Sequence, residues 1–228
     1  MPKRRHDYHP QHTNDTMNAM SSLHSPAAER NKEAILDVLL RVLPPQGRAL
    51  EIASGSGQHV VCFASKMPGW TWLPSDVREA GVDSINTLAA EASLANLLPA
   101  IALDVLAPDW HLPTAMQRLD AMVCVNMLHI SPWACCGALM QGAARHLAPQ
   151  GRLVTYGPYR VSGLATAASN LAFDADLRAR NPAWGLRQLD EVERAAQQAG
   201  LMLIETISMP ANNLMLVFGR TSADDHHD

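Results

Sequence analysis

Glu51-Ile-Ala-Ser-Gly-Ser-Gly57 is the stretch that decides the fold class, since it joins a short apolar strand to a glycine loop. Residues 48–53 have the apolar pattern of a strand, and a helical pattern follows the loop, as in an α/β unit. Gly55 and Gly57 allow a tight turn and the close approach of a ligand, both of which a Cβ would obstruct. Because ligands of open α/β sheets bind beyond the carboxyl ends of the strands, the sequence predicts a binding loop here.

Position 60 separates this loop from the dinucleotide-binding fingerprint. That fingerprint, G-x-G-x-x-G, needs a third glycine where this chain has Val60, so a pyrophosphate site is less well supported. A nicotinamide-dependent oxidoreductase therefore stays open only as a weaker alternative.

Three carboxylates lie at the ends of three successive predicted strands. Asp76 closes the second strand, where an acidic side chain can accept both hydrogen bonds from a ribose diol. Asp104 follows the third strand beside Val105, and that pair suits the amino edge and the face of an adenine ring. Glu51 lies below the glycine loop, where it can bind an amino-acid ammonium. Asp76 and Asp104 are alternatively turn or helix-cap residues, but their combination with the glycine loop favours a nucleoside ligand.

Helical and strand patterns alternate between residues 25 and 220. The predicted strands are 48–53, 70–74, 100–104, 121–125 and 151–156, and helical patterns begin at Ser25-Pro26, after the glycine loop, before Ile85, at Ser131-Pro132 and at Leu189. Residues 157–187 form an irregular or partly helical insertion, and 201–208 with 213–218 form a hairpin. This order predicts an α/β fold, namely a seven-stranded, mostly parallel sheet with a C-terminal antiparallel hairpin and helices on both faces.

The length and charge of the chain limit the classes of function. Its 228 residues fit a single domain, which we expect at residues 25–220 between disordered tails at 1–24 and 221–228. A net charge of −4 gives no reason to expect a nucleic acid partner, and no apolar run is long enough to predict a membrane span. The four cysteines lack C-x-x-C spacing, so we expect reduced thiols, no metal site and a cytoplasmic location. The oligomeric state stays open, with a homodimer as one alternative.

Five motifs together resemble one protein family. They are Ser25-Pro-Ala-Ala-Glu-Arg-Asn31, Glu51-Ile-Ala-Ser-Gly-Ser-Gly-Gln-His59, Trp72-Leu-Pro-Ser-Asp76, Asn126-Met-Leu-His-Ile130 and Asn181-Pro-Ala-Trp-Gly185. Over residues 24–220 the chain resembles the DUF938 family, which includes methyltransferase-like protein 26 and looks like the class I S-adenosylmethionine-dependent methyltransferases. The resemblance implies a Rossmann-like fold, S-adenosyl-L-methionine as cofactor with S-adenosyl-L-homocysteine as product, and methyl transfer to an unidentified small-molecule substrate.

By this resemblance, the cofactor-binding residues follow the parts of the cofactor. The methionine part would lie against Ala53, Gly55 and Gly57, the ribose against Asp76 and Val77, the adenine against Asp104 and Val105, and the sulfonium against Asn126 and Met127. Arg30 and Asn31 would cover the site from the N-terminal helix. The Arg30 guanidinium can hold a carboxylate of the cofactor or the substrate, or alternatively form a surface salt bridge with Glu29 or Glu33.

Residues after the fourth and fifth strands are the candidates for catalysis and substrate binding. His129 is the best candidate for a general base, because imidazole titrates near neutrality, although it alternatively stacks on adenine or caps the helix near Ser131. Tyr156 is a second catalytic candidate and Tyr159 a substrate contact, with packing aromatics as the alternative for both. Trp184 is predicted to form a lid or wall over the substrate, or else belongs to the core.

The end of the fourth strand also limits the substrate class. It reads Asn126-Met-Leu-His129, which differs from the Asn/Asp-Pro-Pro-aromatic motif of amino methyltransferases and argues against DNA bases and glutamine as acceptors. Because the net charge is slightly negative and no recognition domain is predicted, we expect a methyltransferase that acts on a small molecule or a modest peptide group. A protein that binds the cofactor without turnover is the non-enzymatic alternative.

Overall fold

The computed structural model describes residues 23–220, so residues 1–22 and 221–228 of the predicted tails lie outside the described part. The helices in chain order are α1 (Pro26–Val42), α2 (Gln58–Lys66), α3 (Glu79–Ala92), α4 (Ala134–His146), α5 (Ala168–Arg180) and α6 (Leu189–Gln198). The strands are β1 (Gly47–Ile52), β2 (Trp70–Asp76), β3 (Ile101–Ala102), β4 (Leu119–Val125), β5 (Leu147–Gly157), β6 (Tyr159–Arg160), β7 (Arg187–Gln188), β8 (Leu201–Met209) and β9 (Asn213–Arg220).

The main sheet has seven strands in the order β3-β2-β1-β4-β5-β9-β8. The first five strands in that order run parallel, and β9 pairs antiparallel with both β5 and β8. This topology confirms the predicted, mostly parallel sheet with a C-terminal antiparallel hairpin. The strand order reverses direction between β1 and β4, so the crevice at their carboxyl ends is the expected ligand site.

Helices cover both faces of this sheet and divide the core in two. On one face, Ile35 of α1 and Phe63 of α2 pack with Trp72 of β2. On the other, Leu139 of α4 and Val192 of α6 pack against the opposite side chains of the same strands. The central strands β1 and β4 are buried on both sides, as their nearly continuous apolar sequences require.

The first helix begins where its capping signal predicts. The Ser25 side chain accepts a hydrogen bond from Ala28 N at 3.2 Å, and Pro26 occupies the first turn, where no backbone N–H is needed. This cap fixes the start of α1 beside the carboxyl ends of the strands.

Three predicted elements differ from the structure. Strand β3 keeps only Ile101–Ala102, because its pairing with β2 ends after two residues. Helix α4 begins at Ala134 rather than at Ser131-Pro132, since a tight turn at Leu128–Ile130 occupies the preceding segment. The insertion at 157–187 contains the full helix α5 and the short parallel pair β6 and β7, so it is more regular than expected.

The described residues can also be compared with the expectations of reduced cysteines and of no membrane-spanning helix. All four cysteines are free, with Cys124, Cys135 and Cys136 buried and Cys62 half-buried. None of the helices within residues 23–220 has the length and apolar character that crossing a membrane requires.

Candidate functional site

Two adjoining cavities open at the carboxyl ends of the parallel strands. The glycine-loop cavity, of about 790 Å³, is lined by residues of 52–59, 76–78, 103–105, 125–127 and 130–132, together with residues 23–25, Ala28, Cys135 and Trp184. The histidine cavity, of about 720 Å³, is lined by Ser25, Ala27, Arg30, Asn31, Ala34, Asn126, His129, Ile130, Tyr156, Pro158, Asn170, Phe173, Pro210, Ala211 and Asn213. Ser25, Asn126 and Ile130 line both, so the two cavities share a wall.

The glycine loop turns sharply through the left-handed region. Ala53, Gly55 and Gly57 have φ angles of 56°, 60° and 84°. Ala53 and Gly55 line the glycine-loop cavity, as predicted from the motif. Gly57 does not line it, because its role is in packing: a Cβ there would lie 3.0 Å from Cα of Ile85 in α3. The loop therefore faces the cavity at Ala53 and Gly55 and packs against α3 at Gly57.

Glu51 is a buried carboxylate without a hydrogen-bonding partner among residues 23–220. It is 1% exposed, and neither Oε1 nor Oε2 accepts a hydrogen bond from this part of the chain. Burial raises the pKa of the Glu51 carboxyl to about 7, a shift that the Ser54 side chain partly opposes and to which the nearby charge of Asp76 adds a smaller part. Glu51 lines neither cavity but lies buried beneath the glycine loop, and an unpaired acid there is unfavourable unless a ligand or water supplies a donor, which an ammonium group can do.

Asp76 lies at the end of β2 and organises the loop around it. Its Oδ2 accepts a hydrogen bond from Gly55 N at 3.0 Å, and its Oδ1 accepts from Arg78 N at 2.9 Å and Arg78 Nε at 3.1 Å. Gly81 packs directly against Asp76, since a Cβ at that position would lie 2.5 Å from the carboxyl carbon. Sequence reasoning missed Arg78 and Gly81, although both follow the Asp76 motif within five positions.

The remaining predicted nucleoside contacts meet in the same cavity. Val77, Asp104, Val105 and Met127 all line it, which brings together the ends of β2, β3 and β4. Asp104 Oδ1 also accepts a hydrogen bond from Leu106 N at 2.9 Å, so it is a turn residue as well as a cavity residue. Both interpretations of Asp104 are thus compatible with one conformation.

The start of α1 closes the cavities and is clasped to the start of α2. The Gln58 side chain accepts a hydrogen bond from Ser25 N at 2.7 Å and donates one to Glu29 at 2.9 Å. His59 Nε2 lies 2.7 Å from Asn31 Oδ1. Ahead of the helix, Leu23 N donates to Ser84 Oγ at 2.7 Å. The motif at residues 25–31 therefore contacts the motif at residues 51–59. The sequence did not predict this contact, because the two motifs are far apart along the chain.

Arg30 and Asn31 line the histidine cavity rather than the glycine-loop cavity. Arg30 forms no salt bridge within the described chain, and the predicted alternative pairing with Glu29 is absent, since Glu29 pairs with Lys32 at 2.6 Å. The other predicted alternative, Glu33, has Cys62 Sγ near it at 3.8 Å. The Arg30 guanidinium is consequently available to a ligand.

His129 lies in the tight turn after β4, where its side chain is buried and lines the histidine cavity. Burial lowers the pKa of His129 to about 4, with a smaller contribution from the Arg187 charge, so the imidazole is neutral at neutral pH. Its ring meets Phe173 edge-on with centroids 5.5 Å apart. It does not line the predicted adenine site, and α4 begins after Trp133, so neither adenine stacking nor helix capping describes its position.

The other predicted catalytic and substrate-binding residues, Tyr156, Tyr159 and Trp184, do not lie in one cavity. Tyr156 lines the histidine cavity, and burial raises the pKa of its hydroxyl while the Asn31 side chain partly opposes that shift. Tyr159 lines neither cavity, because its ring is in the core and its hydroxyl lies 2.8 Å from Thr155 Oγ1. Trp184 lines the glycine-loop cavity, with the Arg180 guanidinium 5.3 Å from its ring centroid, so it is a wall of the neighbouring cavity.

Residues 181–187 hold the turn at Leu128–Ile130 from outside. Gly185 N donates to His129 O at 3.0 Å, and Arg187 Nε donates to Leu128 O at 2.9 Å. Gly157 lies on the other side, where a Cβ would be 3.2 Å from Nδ1 of His129. The position of His129 is therefore set from two sides by backbone and by the half-buried Arg187.

A family comparison agrees with the motifs. The model of DUF938, described as a protein of unknown function, matches residues 22–220. The chain belongs to the DUF938 family.

Three solved structures with a similar fold are methyltransferases or members of a methyltransferase family by name. CalO1, a methyltransferase in calicheamicin biosynthesis solved with S-adenosylhomocysteine, matches with a TM-score of 0.69 and 18% identity over 86% of this chain and 55% of that chain. An O-methyltransferase family protein from Burkholderia thailandensis matches with a TM-score of 0.71 and 16% identity, over 87% of this chain and 58% of that chain. The mitomycin 7-O-methyltransferase MmcR matches with a TM-score of 0.65 and 17% identity, over 87% of this chain and 59% of that chain. This DUF938 chain thus has the Rossmann-like methyltransferase fold and spans a little over half the length of these structures.

Proposed function

We propose that this protein is an S-adenosylmethionine-dependent methyltransferase that methylates a hydroxyl group of a small molecule, with His129 accepting the proton. The observation that carries this proposal is the shared wall between two cavities, one with nucleoside-binding groups and one with a buried neutral imidazole. Methyltransferases of the same fold, one of them solved with S-adenosylhomocysteine, support the choice of cofactor. The size of the histidine cavity supports a small acceptor.

The residues that line the glycine-loop cavity, together with Glu51 buried beneath its loop, fit the three parts of this cofactor. The unpartnered Glu51 carboxylate suits the ammonium of the methionine part, directly or through water. Asp76 would bind the ribose diol once the Arg78 guanidinium leaves, and that side chain is 63% exposed and therefore free to move. Asp104 and Val105 offer an acceptor and an apolar surface to adenine.

The chain's contribution to the chemistry is alignment, exclusion of water and removal of a proton. When bound, S-adenosylmethionine supplies an electrophilic methyl group, and a hydroxyl oxygen that takes it must lose its proton. His129 is neutral at neutral pH, and within residues 23–220 no hydrogen bond engages its ring nitrogens. It can therefore accept that proton as the oxygen–carbon bond forms.

Tyr156 and Asn31 assist in the same cavity as positioning groups. The Tyr156 hydroxyl keeps its proton because burial raises its pKa, so it is suited to donate a hydrogen bond to the acceptor rather than to act as a base. Asn31 in turn is held by His59 at 2.7 Å. The clasp between α1 and α2 thus contributes to holding the acceptor in line with the methyl group.

Calorimetry with S-adenosylmethionine, S-adenosylhomocysteine and NAD tests the cofactor. We expect both sulfur nucleosides to bind and NAD not to bind. The absence of binding by either sulfur nucleoside at millimolar concentration would overturn the proposal, and binding of NAD alone would favour the oxidoreductase alternative.

Transfer of a tritiated methyl group to components of a cell extract, followed by mass spectrometry of the labelled product, tests catalysis. We expect a labelled small molecule that carries a new methoxy group. Tight cofactor binding without any labelled product would favour the non-catalytic alternative.

A further inference from the structure

One face of α1 forms a wall of the histidine cavity with a distinctive composition. This wall consists of Ala27, Arg30, Asn31 and Ala34, whose spacing places them on one side of the helix. Two alanines leave the cavity open at this wall, while Arg30 and Asn31 bring polar groups to it. The side chains that pack α1 into the core, among them Ile35 and Leu39, follow a different stripe.

Arg30 is the one formally charged side chain among the described residues that line the histidine cavity. No acidic residue of residues 23–220 lines that cavity with it, and Arg30 has no ion pair in this part of the chain. The adjacent Glu29 is held by Lys32 and by Gln58 at 2.6 and 2.9 Å. The cavity therefore carries a net positive charge with nothing of its own to balance it.

The position of Arg30 along α1 is not explained by helix stability. It lies in the second turn of the helix, five residues after the capping Ser25, where the helix dipole gives a cation no favourable interaction. A bound anion would interact favourably with the guanidinium. The same guanidinium can hold a carboxylate through two parallel hydrogen bonds.

Three rings form a second part of the lining of the histidine cavity. His129, Tyr156 and Phe173 line the histidine cavity, and the rings of His129 and Phe173 meet at 68°. Rings in such a pocket bury a planar apolar molecule with favourable stacked or edge contacts. The cavity therefore combines a surface for a flat ring with a site for an anion.

From this arrangement, and resting on the proposed function, we propose that the acceptor is a hydroxylated aromatic compound with a carboxylate. Arg30 binds the carboxylate, the rings hold the planar body, and the hydroxyl faces His129 and the shared wall at Asn126. In the transfer, the hydroxyl oxygen forms a bond to the methyl carbon as the carbon–sulfur bond breaks. The electron pair of that bond stays on sulfur, and the hydroxyl proton passes to the imidazole.

Binding to protein saturated with S-adenosylhomocysteine tests this acceptor class without requiring turnover. The probes are the hydroxybenzoates and hydroxycinnamates, each paired with its own methyl ester, and the measurement is calorimetry. We expect at least one carboxylate to bind about tenfold more tightly than its ester, because only the carboxylate can pair with Arg30.

Variants at Arg30 locate the source of that difference. Arg30→Gln should abolish the preference for the carboxylate, whereas Arg30→Lys should keep part of it, since an ammonium retains the charge but not the planar pair of donors. Arg41→Gln removes a charge from the same helix outside both cavities, where Arg41 pairs with Glu205 at 2.9 Å, and should leave the preference unchanged.

Equal affinity for esters and carboxylates, no binding of either, or a preference that survives Arg30→Gln would each overturn the acceptor class. The affinity for S-adenosylhomocysteine is measured first on the same samples. Its absence would overturn the proposed function, whereas normal cofactor affinity with any of those probe results would overturn only the assignment of the acceptor.

Discussion

The glycine-loop cavity and the histidine cavity lie side by side, yet the chain builds them in different ways. The first is made mainly of strand ends and the loops that follow them, with Ala53, Asp76 and Asp104 after β1, β2 and β3. The second adds walls from α1, α5 and the turn between β8 and β9, which are far apart in sequence, to residues at the ends of β4 and β5. A scaffold of this kind can keep one ligand site constant while the other changes.

The two cavities also differ in charge. Among residues 23–220, acidic groups outnumber the one arginine, Arg78, in the first, with Asp76 and Asp104 in its lining and Glu51 buried beneath the loop, whereas Arg30 is the charged group in the lining of the second. This contrast matches a cofactor with an ammonium and a ribose on one side and an anionic acceptor on the other. Substitutions on the two sides should therefore have separable effects.

The largest effect should follow His129→Gln. We expect kcat to fall by about 10²–10⁴-fold, because the proton acceptor is lost, while the affinity for S-adenosylhomocysteine stays unchanged. Since the pKa of His129 is about 4, the acidic limb of the wild-type kcat profile should lie near pH 4 rather than near pH 6.5. Single-turnover transfer and calorimetry measure these effects, with the exposed His111→Gln as control. A large loss of cofactor affinity would mean that the division between the cavities is wrong.

Asp76→Ala should act on the opposite side of the shared wall. We expect cofactor binding to weaken by about 1–3 kcal/mol, because the ribose hydroxyls and Gly55 N lose their acceptor. Calorimetry with S-adenosylhomocysteine measures the change, and Asp37→Ala, on the exposed side of α1, is the matched control. Unchanged affinity would place the ribose elsewhere.

Glu51 should make cofactor binding depend on pH. Its pKa of about 7 lies above the ordinary value of 4.5, so its contribution to the stability of the free protein is complete below pH 4.5 and is lost as the pH rises through 7. A bound ammonium favours the charged form, so binding should release a proton and strengthen by up to about tenfold per unit as the pH rises toward 7. Calorimetry in buffers of different ionisation enthalpy measures the released proton. Glu51→Gln should remove this dependence, and its persistence would assign the proton to another group.

Ala53→Gly should have the smallest effect. A residue with a Cβ at φ 56° is strained by about 1 kcal/mol, and glycine relieves that strain while adding freedom to the unfolded chain. We therefore expect the free energy of unfolding to change by less than about 1 kcal/mol in a denaturant titration. A larger loss would show that the Ala53 methyl group packs against the cavity wall.

These contrasts explain which parts could be predicted from sequence. The mostly parallel sheet, the hairpin and the gathering of Asp76, Asp104 and Asn126 follow from apolar strands that alternate with helices, because parallel strand ends meet at one edge. Helix α5 was not predicted because it lacks an apolar stripe. Few of its residues are buried, and those include the polar Asn170 and Asp174 as well as Leu177.

Contacts between distant segments could not be predicted. The positions of Tyr159, Trp184 and Gly57 depend on which neighbours pack against them, and a single sequence gives no direct signal for that. The contact between His59 and Asn31 had one indirect signal, since both belong to motifs of the same family. Their pairing required the folded arrangement of α1 and α2.

The anchoring of Leu23 to Ser84 has a practical consequence for handling the protein. Leu23 lines the glycine-loop cavity, whereas Arg220 ends β9 beside the start of β5, at the opposite edge of the sheet. A surface tether or a fluorescent label at position 23 would crowd the mouth through which ligands enter. Immobilisation through the Arg220 end would leave both openings facing the solution, which makes that end the better choice for optical biosensing.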